Sequence, residues 1–158
     1  VVARGPNVMR GYWQMPEQTA TTLRGGWLHT GDAAWMDDEG FIYITDRLKD
    51  MIISGGENVY STEVENALYQ HPSVAQCAVI GVPDQRWGER VHAVVVPRAG
   101  AERDTAALIA HCRALIADFK CPRSVEFRDA PLPVSGAGKI LKTELRKPHW
   151  EGASRGVN

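Results

Sequence analysis

Several features are scarce in this sequence, and each scarcity removes a class of explanation. No apolar run approaches the roughly 18 residues that span a bilayer, and no signal-peptide pattern opens the chain, so no transmembrane segment is expected. Charge of either sign is nearly balanced. Eighteen Lys and Arg against nineteen Asp and Glu leave a formal net charge of −1, too weak a field to draw the molecule to nucleic acid. Cysteine is limited to Cys77, Cys112 and Cys121, an odd number without CxxC spacing. That disfavours a disulfide framework and a zinc site, and suits a reducing, cytoplasmic setting. The five histidines are scattered without metal-ligand spacing, so no metal site is expected. Internal repeats and low-complexity tracts are absent.

What is present is enough for a packed core. A chain of 158 residues with a hydrophobic share of 44% is one ordinary domain, or a domain with a piece of another. The first residue is Val, and VVARG reads as a strand in mid-course, so a piece of a longer protein is expected. Residues 1–46 carry 3 basic and 6 acidic side chains, and residues 47–158 carry 15 and 13. A second part that meets phosphates and an ordinary mixed surface both fit that small basic excess.

Residues 1–46 read as short strands and turns, with a hairpin turn at Asp37 to Gly40 and a strand over Phe41 to Thr45. Met51 to Ile53 is a second short strand stopped by Ser54-Gly55-Gly56. Thr62 with Glu65 three residues on has the form of a capping box, opening a helix that ends near His71-Pro72. Val74 to Val82 and Val91 to Pro97 read as strands, the first carrying Cys77 as a core thiol. Asp104 caps a helix with Leu108, Cys112, Leu115, Ile116 and Phe119 on one face. Arg123 to Phe127 is one more strand, and Thr143 to Lys147 a terminal helical turn. The order β-α-β-β-α-β after residue 50 predicts a small α+β domain.

Three motifs carry chemistry. The first is Asp46 to Glu65, DRLKDMIISGGENVYSTEVE, with charged residues between two strands, then a Gly-Gly turn, then a helix. The second is the triplet Thr30-Gly31-Asp32, whose carboxylate offers two acceptors to a vicinal diol. The third is PVSGAGKILK, which places Lys139 on a glycine-flanked loop. It is no P-loop, because Ile140 follows the lysine and Pro133 stands at the first glycine position. Together these motifs resemble the adenylate-forming (AMP-binding) superfamily, which activates carboxylic acids with ATP and passes the acyl group to a thiol.

The resemblance covers Val1 to Arg146 and matches only the last part of such an enzyme. It implies that residues 1–46 end a large, β-rich N-terminal adenylating domain, most of it missing. Residues 47–50 would be a hinge centred on Lys49, 51–147 a mobile C-terminal lid, and 148–158 a frayed tail. Asp32 would bind the ribose hydroxyls, with Arg47 beside it on the nucleotide and Ile44 packing nearby. Lys139 would be the catalytic cation, meeting the acyl carboxylate and α-phosphate in one lid orientation. In the other, the loop Gly55, Gly56, Glu57 and the indole of Trp87 would line the pantetheine passage. Phe119 would stack near the adenine of CoA, and Arg123 would meet its phosphates.

Each residue also has a plainer reading. Asp32 suits a turn capping its own backbone, Arg47 a surface salt bridge with Asp46 or Asp50, and Phe119 a core position. The implied activity is that of an AMP-forming acyl-CoA ligase, fatty acids favoured and aryl acids close behind, with Mg²⁺ accompanying ATP. The small molecules expected are therefore a carboxylic acid, ATP and CoA. A carrier-protein-loading adenylation domain, a light-emitting oxygenase and a non-catalytic interaction domain of the same fold are the other readings.

Overall fold

A computed structural model describes residues 1–152 of the chain. They form two units, Val1–Lys49 and a second that begins at Asp50. The division falls inside the segment 47–50.

In the first unit, β1 (Val2–Ala3) is followed by helix α1 (Pro16–Thr22), and β2 (Leu28–His29) pairs antiparallel with β1. Helix α1 departs from the all-strand reading of this part. It starts on a proline, whose fixed φ suits a first helical turn, and buries no residue, so it has no apolar periodicity to read. β3 (Asp32–Met36) and β4 (Ile42–Arg47) make an antiparallel hairpin. Its turn is shaped by Asp37, whose Oδ1 accepts the N–H groups of Glu39 (3.0 Å) and Phe41 (2.8 Å). Gly40, at φ +87°, takes a conformation most side chains avoid.

The second unit is built on a five-stranded sheet. β5 (Ile52–Ser54) and β6 (Glu57–Val59) form a tight hairpin. Helix α2 (Ser61–Tyr69) leads to the long antiparallel pair β7 (Val74–Asp84) and β8 (Gly88–Pro97). After α3 (Thr105–Leu115), β9 (Ser124–Phe127) joins β8 in parallel, and α4 (Lys142–Trp150) closes the unit. Because strand side chains alternate, β7 and β8 bury both faces. Cys77, Val79, Val91, Ala93 and Val95 face a core with Val64 and Leu68 of α2 and Leu108 and Cys112 of α3. Ala78, Ile80, Val82 and Val94 face Leu145 of α4 and, from the loop before it, Leu132. Burial on both faces explains why β7 reads as a nearly unbroken apolar run.

The α+β class stands, and so do the buried Cys77 and the Asp104 cap, whose side chain accepts from the Ala107 N–H. Four local expectations change. β6 is an additional strand, missed because only Val59 of its three residues is apolar. Thr62 is not the N-cap: α2 starts at Ser61, after Tyr60, and Tyr60 makes no side-chain cap bond. The Glu65 carboxylate instead accepts the Val79 N–H at 2.7 Å and pairs with Lys142 at 2.7 Å. Phe119 lies beyond α3 in a short 3-10 turn, Asp118–Lys120, and is 39% exposed, so it is not a core residue of that helix. Finally, α4 continues through Pro148 to Trp150, whose indole N–H donates to the Gly81 carbonyl at 3.0 Å. The tail therefore does not fray from 148, and residues 153–158 of that expectation lie outside the described residues.

Candidate functional site

The first group of candidate residues sits at the open end of the β3–β4 hairpin. Asp32 and Arg47 are cross-strand partners, and Arg47 Nε meets Asp32 Oδ1 at 3.1 Å. Asp46 and Asp50, the other ion-pair partners weighed for Arg47, make contacts of their own. Asp46 is buried and accepts the Arg47 backbone N–H at 2.8 Å, while Asp50 pairs with Arg146. The turn before Asp32 is fixed by its own backbone. Gly31 lies at φ +77°, its carbonyl accepts the Leu48 N–H at 2.8 Å, and the Asp32 N–H donates to Thr30 Oγ1 at 3.1 Å. Asp32 thus keeps its side chain for Arg47 and for whatever meets the pair from solvent. Ile44 is on the same hairpin, 66% exposed. Lys49 is exposed in the turn after β4.

A second group lies where β5 and β8 meet. The Gly55 N–H donates to the Trp87 carbonyl at 2.8 Å, and Ser54 pairs with Gly88. A Cβ placed on Gly55 would come within 2.5 Å of the Trp87 ring, so the missing side chain is what seats the indole. Gly56 adopts φ +86° with open space around it, and Glu57 is exposed. The loop holding Trp87 is pinned by Asp84, whose Oδ1 accepts the N–H groups of Arg86 (2.9 Å) and Trp87 (3.0 Å). Those two bonds, larger in effect than its slight desolvation, hold the Asp84 carboxyl below its ordinary pKa.

Arg123 does not form a joint basic cluster with its neighbours. Its guanidinium stands over Trp87 at 5.1 Å, within cation–π range, with Arg86 over the same ring at 4.6 Å. Lys120 is drawn away to Glu63 (2.7 and 2.9 Å). Gly55, Trp87 and Arg123 are therefore one constellation, and Phe119 stands outside these contacts with Lys120 at 5.7 Å. The association of Arg123 with Trp87, 36 residues apart, had no sequence signal.

Lys139 is exposed on a turn that is tighter than its Gly-Ala-Gly sequence suggests. The Ser135 N–H donates to the Lys139 carbonyl (2.8 Å), the Gly138 N–H to the Ser135 carbonyl (2.8 Å), and the Lys139 N–H to Ser135 Oγ (3.2 Å). Val134 and Ile140 bridge across its base. The arrangement presents a hydrated ammonium from a closed hairpin tip, a placement suited to a developing anion. Among the described residues the one group of three ligating side chains contains two histidines, a donor set that suits Mg²⁺ poorly.

Residues 63–139 match the model of the AMP-binding enzyme C-terminal domain. The chain is 58% identical over 147 residues to a feruloyl-CoA synthase of an Amycolatopsis species, covering 93% of this chain and 30% of that protein. It is 50% identical over 151 residues to the long-chain-fatty-acid–CoA ligase of Bacillus subtilis (strain 168), covering 96% and 27%. The o-succinylbenzoate CoA synthetase of Bacillus subtilis, solved with its acyl-adenylate intermediate, superposes with a TM-score of 0.84 at 36% identity, covering 99% of this chain and 31% of that one. Another relative is named as a fatty acid–[acyl-carrier-protein] ligase of Streptomyces coeruleorubidus, 46% identical over 97% of this chain and 29% of that protein.

Residues 63–139 thus carry an AMP-binding enzyme C-terminal domain, and nearly the whole chain is similar to the C-terminal part of adenylate-forming enzymes, acyl-CoA ligases among them. It spans about 30% of the length of the curated relatives it matches. Among the described residues no helix is long and apolar enough to cross a membrane.

Proposed function

We propose that this chain serves as the C-terminal portion of a cytoplasmic AMP-forming ligase. That enzyme would convert a carboxylic acid and ATP into acyl-AMP and pyrophosphate, then transfer the acyl group to the thiol of CoA. The observation that carries this reading is the 3.1 Å Asp32–Arg47 pair. One carboxylate oxygen is held by the guanidinium, which leaves the other to accept from a ribose diol. Arg47 engages only through Nε in that pair, so its terminal nitrogens remain as donors to the nucleotide. Lys49 would be the pivot between the two units, a turn residue able to absorb a backbone rotation. Lys139 would serve the adenylation step. The seat formed by Gly55, Gly56, Glu57 and Trp87 would receive pantetheine, with Phe119 beside the CoA adenine and Arg123 near its phosphates.

Fatty acids are the first acyl class to test and aryl acids the second, because relatives named for both are similar to this chain. Mg²⁺ enters with ATP and has no assigned ligand here. The 158-residue chain alone is expected to make no acyl-CoA, since it spans only about 30% of the length of the ligases it resembles. The test is calorimetry of the full-length enzyme with a non-hydrolysable acyl-adenylate analogue. Asp32→Ala should weaken binding by about 10- to 100-fold, the range for one charge-assisted hydrogen-bonding group. Absence of binding by the unsubstituted enzyme would favour a non-catalytic domain.

One observation favours a second acceptor. Glu63 neutralises Lys120, and Arg123 lies over Trp87, so fewer cations are left for the phosphates of free CoA. A pantetheine carried on a protein needs fewer of them. Acyl transfer from the full-length enzyme to CoA and to a carrier protein, measured side by side, separates the two.

A further inference from the structure

One cluster of ligating side chains lies outside every role assigned above. His92 on β8, Glu126 on β9 and His149 on α4 bring one ligand atom each to within 4.8 Å of the others. The fold assembles them for local reasons. β9 pairs with β8 so that Ser124 lies opposite His92, and Glu126, two residues further, emerges on the same sheet face. Helix α4 is held over that face by Leu145 in the core and by the Trp150 bond to Gly81. His149 is thereby delivered beside His92, with ring centroids 5.0 Å apart.

The geometry is that of a cation's surroundings rather than of a hydrogen-bonded network. Glu126 Oε2 lies 3.8 Å from His92 Nε2 and 3.9 Å from His149 Nε2, too far for hydrogen bonds. A tetrahedral ion with bonds of about 2.0–2.2 Å needs ligand separations of roughly 3.3–3.5 Å, so movements of about half an ångström would bring the carboxylate to bonding separation from each imidazole. Glu126 and His149 are partly exposed and free to make them, at 46% and 30% side-chain exposure. His92 is the fixed member. Its side chain is 8% exposed, and its Nδ1 is 2.7 Å from Ser124 Oγ. Its Nε2 is buried and has no hydrogen-bond partner among the described residues. With Nδ1–H donating to the serine, the unpartnered Nε2 presents a lone pair to the cluster, the orientation that outer-sphere partners give ligating histidines.

We propose that His92, Glu126 and His149 bind a divalent first-row transition metal, Zn²⁺ foremost, through two imidazole nitrogens and one carboxylate oxygen. Two nitrogen ligands select against Mg²⁺ and Ca²⁺, which take oxygen, so this ion is distinct from one accompanying ATP. A cleft of about 400 Å³, lined in part by Glu126, Glu144 and His149, leaves the fourth position open to water or a small anion. The ion would fasten α4 to β8 and β9. Because α4 begins at Lys142, three residues beyond Lys139, it would also steady the base of the lysine hairpin.

The test uses the untagged 158-residue chain, stripped with chelator and titrated with Zn²⁺ by calorimetry and with Co²⁺ by visible absorption. One equivalent of Zn²⁺ should bind and raise Tm, Co²⁺ should give a four-coordinate ligand-field spectrum, and Mg²⁺ should do neither. His149→Ala and Glu126→Ala change partly exposed residues and leave the cores intact, and each should weaken Zn²⁺ binding by at least about tenfold. Failure to bind one equivalent, or unchanged affinity in either variant, overturns the site.

Discussion

Asp50 and Arg146, 96 residues apart in sequence, form an ion pair of 3.2 Å in which both side chains are largely buried. The arginine also donates to the Asp50 carbonyl at 3.4 Å. The pair ties α4 to the first residue of the second unit, directly after Lys49. Removing one member of such a pair leaves the other charge buried, which costs about 3–5 kcal/mol. Arg146→Ala should lower the stability of the second unit by that amount in urea unfolding. A loss in Arg146→Ala no larger than that of a surface pair would contradict this assignment.

Gly55 and Gly56 both have positive φ, yet they should respond differently to alanine. At Gly56 only the backbone penalty of about 1–2 kcal/mol applies, since nothing lies within 4 Å of the added methyl group. At Gly55 the methyl would also collide with Trp87, 2.5 Å away. Overpacking of that kind adds about 1–3 kcal/mol unless the indole moves. Thermal unfolding should therefore rank Gly55→Ala below Gly56→Ala, and tryptophan fluorescence should change only in the former. Equal effects would mean that the glycine does not seat the ring.

The three thiols should be silent at neutral pH. Cys77, Cys112 and Cys121 are buried, and desolvation pushes Cys77 up to about 12 and Cys112 up to about 11, with Cys121 raised as well. The nucleophile is the thiolate, so folded protein should resist alkylation and take up three labels once denatured. The linkage sign follows. The folded state keeps these protons where the unfolded chain, with thiols near 9, has released them. Their contribution is intact below the unfolded value and is lost as pH rises through the folded ones. Stability measured from neutral to strongly alkaline pH should fall as those values are approached, and rapid labelling of native protein would contradict the burial.

Local signals in the sequence served well wherever both partners were close. Asp104 caps α3 because its acceptor reaches a backbone N–H three residues on, and the hairpin uniting Asp32 with Arg47 is closed by the Asp37 turn between them. Thr62 missed the helix start, which falls at Ser61, and Glu65 is recruited by Val79 and Lys142, from elements distant in sequence. Lys120 was legible as a cation but not as the partner of Glu63, and Arg123 not as the cover of Trp87. His92 and His149 show no ligand spacing because 57 residues separate them in the chain, and only the packing of α4 on the sheet brings them together. Helix α1, with no buried residue, offers no periodicity at all. What the residues of one turn decide among themselves could be read, and what the sheet brings together could not.

The account rests on Lys139 acting in one half-reaction only, from a unit that turns about Lys49. The most direct measurement compares the two half-reactions in the full-length enzyme with and without Lys139→Ala. Carboxylate-dependent pyrophosphate exchange reports adenylation, and transfer from preformed acyl-AMP to CoA reports thiolysis. Loss of one preorganised cation should slow adenylation by about 10²–10³-fold and leave thiolysis at its original rate. Adenylation at full speed, or equal loss of both steps, would contradict it.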